Sequence, residues 1–279
     1  MRRDVRLLLL TRSIRAFGFG FGAVLLGIHL QARGLDPFEV GLALAVGVLA
    51  ASLGGLVAAA AAGRWGRRAV LAATGVLMAA SGLDLALAPA PSLLMAAGLT
   101  GMMGVAGTDQ GPFLAIEQAL LTQASEPRNR NRAFARYSLT GGVAAALGGL
   151  AAVGAGHGLG SGAYFVAYAA LGLVTAALPL FLSARIEGER PAPVFASLRP
   201  LLGLAGLFAL DSFGGGLIVN SVLVYWLHIR FGASPAVLGP AFAAMSLLAA
   251  LSFELSGRLA DRVAVSYTHL RAHETGRNL

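Results

Sequence analysis

Three ionisable side chains stand inside stretches that are otherwise apolar. Arg15 lies between a run of leucines and FGFGFG, with Arg12 one turn before it. Asp109 sits beside Gln110 in LTGMMGVAGTDQGPFLA, and Asp211 precedes Asn220 in LFALDSFGGGLIVN. A charge in the middle of a membrane helix costs roughly 2.5–3.5 kcal/mol on insertion scales, so such a residue is read as functional by default. A guanidinium there fixes an anionic group of a bound molecule or pairs with a carboxylate such as Asp109. A carboxylate there is neutral when dry and charged beside a cation, which is the chemistry of a proton carrier. The competing reading of Arg15 and Asp109 is a structural pair holding two helices together. Gln110 and Asn220 add neutral donors and acceptors to the same set.

A second set of residues stands in the joints between apolar stretches. GRWGRR carries Arg64, Gly66, Arg67 and Arg68, and GRLADR carries Gly257, Asp261 and Arg262. A glycine turn lets two helix ends approach, and arginine forks can then bridge carboxylates or carbonyls at those ends. Glu117 is the expected partner of Arg67. Contacts that hold in one conformation and break in another make a gate; the alternative is arginines that only anchor the loop at lipid headgroups.

The elements that position these residues are membrane helices. The chain is 57% hydrophobic and 12% charged, about half the charge of a soluble domain. About 20 apolar residues cross a bilayer, and eight stretches qualify: 7–30, 39–62, 69–88, 92–118, 134–156, 161–183, 200–228 and 237–256. At about 1.5 Å per residue, Arg15, Asp109 and Asp211 each fall roughly 4–7 Å to one side of their span's midpoint. The net charge is +8, and all 21 basic residues are arginine. It is scattered over short loops rather than gathered on one soluble face, which argues against a nucleic-acid partner. The amino terminus and the loops after the second, fourth, sixth and eighth stretches hold arginine clusters, whereas the opposite loops hold only Arg33 and Arg230. The positive-inside rule puts the amino terminus in the cytoplasm, and the expected location is a bacterial plasma membrane. With no cysteine there are no disulfides and no thiolate or Cys-metal chemistry. No cofactor and no metal site are expected.

An internal repeat is visible. GLDPFEVGLALA (34–45) and GASPAVLGPAFA (232–243) align at a constant offset of 198, matching Gly34 with Gly232, Pro37 with Pro235 and Gly41 with Gly239. The same offset carries Gly18 onto Gly216 and Arg64 onto Arg262. Stretches seven and eight therefore repeat one and two, so that a six-helix unit is followed by the start of another. Tandem six-span repeats are a transporter architecture with the site between the halves.

GRWGRRAVL (63–71) and GRLADR (257–262) resemble two degenerate copies of the loop signature of the major facilitator superfamily. The first keeps Arg64, Gly66, Arg67, Arg68 and Leu71 but has Gly63 where the signature has Asp; the second keeps Gly257, Leu259, Asp261 and Arg262. The resemblance implies an all-α polytopic helix bundle: a six-helix unit over 1–184, a cytoplasmic linker over 185–199, and the first two helices of a second unit over 200–263. It also places spans one, four and seven around a central cavity. The function implied is secondary active transport of a small organic solute by alternating access, with protons as the expected coupling ion, by a monomer in the bilayer. The family's antiporter signature in span five carries a Gly-Pro pair, and GGVAAALGGLAAVGAG (141–156) has no proline, which argues against a drug–proton antiporter.

The family pattern has twelve spans. Residues 265–275, VSYTHLRAHET, resemble the in-frame translation of a transposase sequencing adapter, so 264–279 are expected to be a non-native tail and the protein to be truncated after its eighth span. A metal pair of His269 and His273 is the alternative, but two ligands make a poor site. The competing functions are a polytopic membrane enzyme of the acyl- or glycosyltransferase kind and a membrane sensor or scaffold. The first would need clustered bases, nucleophiles or metal ligands, whereas His29, His157 and His228 are dispersed. The second leaves the charges within the spans without a purpose.

Overall fold

The computed structural model of the chain describes residues 2–107, 111–125, 129–156, 160–187, 202–203, 206–207, 209–210 and 218–275, with the backbone alone for 2, 124, 185 and 260–275. All regular structure among these residues is helical: α1 Arg2–Ala32, α2 Pro37–Trp65, α3 Arg67–Leu87, α4 Pro91–Leu99, α5 Pro112–Ala124, α6 Arg130–Ala151, α7 Ser161–Ala177, α8 Asn220–Phe231 and α9 Pro235–Thr275. Short 3-10 turns extend α6 through Ala152–Gly156 and α7 through Leu178–Phe181, and a third covers Ala184–Glu187.

α1 is the central post. Its most apolar window is 78% buried, against 28% for α2, so α1 is wrapped by protein while α2 turns Leu49, Leu53, Leu56 and Val57 outward. A helix that is apolar on every side must be buried in protein or lie in lipid, and these two divide the cases. α1 packs on α6, α7 and α8, α3 packs on α7, and α9 lies along α6. Small residues set the spacing: a Cβ built on Gly20 would fall 2.1 Å from the Ala145 carbonyl oxygen, and one on Gly148 2.0 Å from that of Phe17. The backbones of α1 and α6 touch there, as small-residue membrane packing allows.

Six of the eight expected spans are uninterrupted helices long and apolar enough to cross a membrane. The fourth, expected as one helix over 92–118, is broken between Leu99 and Pro112. Gly101, Gly104, Gly107 and Gly111 all have positive φ there, a region that costs residues with a Cβ about 1–2 kcal/mol each, so glycines in TGMMGVAG and QG permit a non-helical path. In the seventh, Val219 is extended and α8 starts only at Asn220. The eighth differs in the other direction: α9 continues past 256 to Thr275. Gly257 alone costs a helix about 1 kcal/mol, and no proline follows to stop it.

The 198-residue register appears in the backbone as well. Gly34 (φ 98°) and Gly232 (φ 67°) both leave the right-handed region, and α2 and α9 both open on proline, Pro37 and Pro235. Asp36 caps α2 reciprocally with Glu39, Glu39 N–H donating to Asp36 Oδ1 at 2.8 Å and Asp36 N–H to Glu39 Oε2 at 2.9 Å.

Candidate functional site

Arg12 and Arg15 share a face of α1, three residues apart. Arg15 is wholly buried, yet it ends in a matched partner: Nη1 donates to Glu117 Oε1 at 3.1 Å and Nη2 to Glu117 Oε2 at 2.8 Å. Both side chains have zero exposure. Tyr137 of α6 donates its hydroxyl to the same Oε2 at 2.6 Å. The Arg15 guanidinium lies 4.0 Å from the centre of the Phe113 ring, one turn before Glu117 on α5. Arg12 completes the group, stacked 3.9 Å over the Tyr137 ring with its Nε donating to the Tyr137 carbonyl at 2.8 Å. Gly141 makes room for it, since a Cβ there would sit 2.4 Å from Arg12 Nε. Three helices thus meet at one carboxylate, and parallel forked bonds are the strongest form of such a pair.

This arrangement corrects the expected partnership of Glu117 with Arg67. The break in span four delays the helix, so Glu117 stands in the interior, level with Arg15. The group that reaches the arginine-rich end is Gln123, six residues and about 9 Å further along α5. Arg67 Nη1 donates to Gln123 Oε1 at 2.5 Å and to the Ile186 carbonyl at 3.0 Å.

At that end the carboxylate that matters is Glu187. Its Oε2 accepts from Arg67 N–H at 2.7 Å and its Oε1 from Arg68 N–H at 3.2 Å, capping α3 where Gly66 (φ 89°) supplies no side chain. A negative group satisfies the unpaired N–H groups and the positive helix end together. Arg68 Nη2 donates to the Leu180 carbonyl at 2.6 Å, and Asp4 accepts from Ser183 N–H at 2.9 Å and Oγ at 3.0 Å. Arg64 is exposed. Gly257 lies against α6, its Cβ position 3.0 Å from the Ala135 methyl. Asp261 and Arg262 are on the helical backbone of α9, their side chains outside the description.

Asp109, Gln110 and Asp211 lie outside the described residues. Asn220 is described: its Nδ2 donates to the Ala106 carbonyl at 2.6 Å. Ser221 beside it donates to the Val105 carbonyl twice, from N–H at 3.1 Å and from Oγ at 2.7 Å. The first turn of α8 therefore seats on the broken part of span four, where Tyr168 also donates to the Met102 carbonyl. At the opposite end of the bundle His29 bridges Ser161 Oγ (2.7 Å) and the Leu85 carbonyl (2.8 Å). The ring nitrogen facing the carbonyl must be the donor, and in the neutral ring the other then accepts from Ser161.

Tyr137, Gln123, Glu187 and Ser221 were not singled out by sequence reasoning. A tyrosine entering an apolar span and an acid directly after span six were the available signals.

The sequence model of the Major Facilitator Superfamily matches residues 8–270. An uncharacterized membrane protein of Saccharomyces cerevisiae is 26% identical over 148 residues, which is 53% of this chain and 33% of that protein; the chain thus spans about a third of this relative's length. The crystal structure of the human organic anion transporter MFSD10 (TETRAN) is similar at a TM-score of 0.63 and 19% identity, covering 92% of this chain and 72% of that one. At that identity the likeness is one of fold.

Proposed function

The chain belongs to the major facilitator superfamily, and from that premise we propose that it is a secondary active transporter of a small organic solute. It works by alternating access in a bacterial plasma membrane, as a monomer with a cytoplasmic amino terminus, and draws on protons. The observation that carries this reading is the pair of Arg15 and Glu117, wholly buried where α5 meets the membrane-length helices α1 and α6 and shared with Tyr137. An ion pair there adds little net stability over an apolar pair of the same volume, so its value lies in what happens when it opens. Neutralising Glu117 weakens its hold on Arg15, and the guanidinium can then take an anionic group of the solute. The solved neighbour's description as an organic anion transporter makes small organic acids the first solutes to try.

In this scheme Asp211 is a further proton carrier, and Asp109, expected from sequence as a partner of Arg15, is with Gln110 part of the solute path. The arginine-rich end, with Arg67, Arg68 and Glu187, is the cytoplasmic gate of this scheme, to which Arg64, Gly66, Gly257, Asp261 and Arg262 also belong. The test is uptake by proteoliposomes of the full-length protein in a defined mixture of small carboxylates, amines and sugars, with an imposed pH gradient and mass spectrometry of the lumen. At least one solute should accumulate above its outside concentration, and a protonophore should abolish the accumulation. Asp211→Asn should lose gradient-driven uptake and keep exchange, whereas Asp109→Asn should impair both. Accumulation of no solute beyond protein-free liposomes would overturn the reading.

A further inference from the structure

The break in span four receives the first turn of α8, which packs on α1 beyond it, while α9 lies along α6. The carbonyls of the break point away from any helical ladder, and two of them, Val105 and Ala106, are taken by Ser221 and Asn220 of α8. Phe242 of α9 closes on the same stretch, its ring 2.6 Å from the Cβ position of Gly107. On the other side lies a cavity of about 20 Å³ against α2, lined by Phe19, Gly47, Ala51, Gly101, Gly104 and Ala106, room for about one water. Both α4 and α8 run from this point to the end of the bundle that carries Asp36 and Gly232. At about 1.5 Å per residue they extend roughly 14 and 18 Å. The contact therefore stands at the inner ends of both α4 and α8.

We infer that Asn220 and Ser221 are the gate residues of the outer side, a latch whose counterpart is bare backbone. Main-chain carbonyls are available to it only because glycines keep Thr100–Gly107 out of a helix, so the glycines and the latch belong to one device. With the latch made, α8 is held to span four and the outer path is closed. With the latch broken, α8 and α9 swing away together and that path opens. Ser221 is wholly buried, so breaking the latch also exposes its hydroxyl to the path. This inference rests on the alternating-access reading.

The chain has no cysteine, so a spin-label pair can be introduced without background. Ser92→Cys on α4 and Ala236→Cys on α9 are exposed positions at the outer end. Pulsed dipolar spectroscopy in nanodiscs on the full-length protein should show a short- and a long-distance population. Asn220→Ala with Ser221→Ala removes two side-chain donors and should raise the ratio of long to short by about tenfold. Asn220→Asp, nearly the same shape without the N–H donor, should move it in the same direction by several-fold, which covers a failure of the double variant to fold. Two populations in the parent with an unchanged ratio in the variants overturn the latch while leaving alternating access standing. One identical population in all of them overturns both.

Discussion

Glu117 accepts from two guanidinium nitrogens and a phenol at a place with no exposure, so each partner's loss has a different cost. Glu117→Ala removes one partner of a buried ion pair, which typically costs about 3–5 kcal/mol; a large fall in thermal stability in detergent is expected. Arg15→Met with Glu117→Leu, which removes both charges at similar volume, should recover most of that loss, because an apolar pair replaces an ion pair at about even cost. A double variant no more stable than Glu117→Ala would mean that the pair is not the source of the effect. Tyr137→Phe removes one hydrogen bond to a charged group and should cost about 1.5–3 kcal/mol by the same measurement. Arg15 was legible from sequence as a buried charge in need of an anion. Its partner was not, because Glu117 falls near the end of a span counted as one unbroken helix over 92–118, and only the break at the glycines moves it to the level of Arg15.

Helix spacing and helix ends carry the next set of consequences. Gly148→Leu would force a side chain into the space held by the Phe17 carbonyl. It should separate α1 from α6 at a cost of at least about 1–3 kcal/mol, visible as loss of monodisperse protein on size-exclusion chromatography; normal folding would show that the close approach is not required. Glu187→Gln removes the charge at the start of α3 and should cost only about 0.3–1 kcal/mol. The apolar stretches predicted α1, α2, α3, α6 and α7 closely, since an uninterrupted run of about 20 apolar residues has few other solutions. Spans four and seven were harder. Apolar residues continue through Leu99–Gly107 and across Val219, and the polar Thr108–Gln110 of span four reads as part of a site rather than as a break; the three-residue spacing of Gly101, Gly104 and Gly107 does mark it, but membrane helices so often carry glycine for packing that the spacing reads as packing first.

For the whole molecule, the repeat was visible as a constant offset between Gly34, Pro37 and Gly41 and their counterparts, and the left-handed glycines and proline helix starts occupy that register in the structure. What no sequence offset conveys is how α8 and α9 sit on the helices before them: α8 against α1 and the break in span four, α9 along α6. Those contacts are settled by small residues and exposed carbonyls that only the assembled bundle brings together. The proposed cycle joins them to the pair at Arg15, since a proton on Glu117 loosens α1 from α5 while the latch at Asn220 holds or frees α8. The measurement that tests this most directly compares two modes of transport by Glu117→Gln in proteoliposomes of the full-length protein, with whichever solute the parent accumulates. Exchange of labelled for unlabelled solute needs no net proton movement, whereas accumulation under a pH gradient does. The account predicts that Glu117→Gln retains exchange and loses gradient-driven accumulation; accumulation equal to that of the parent would contradict it.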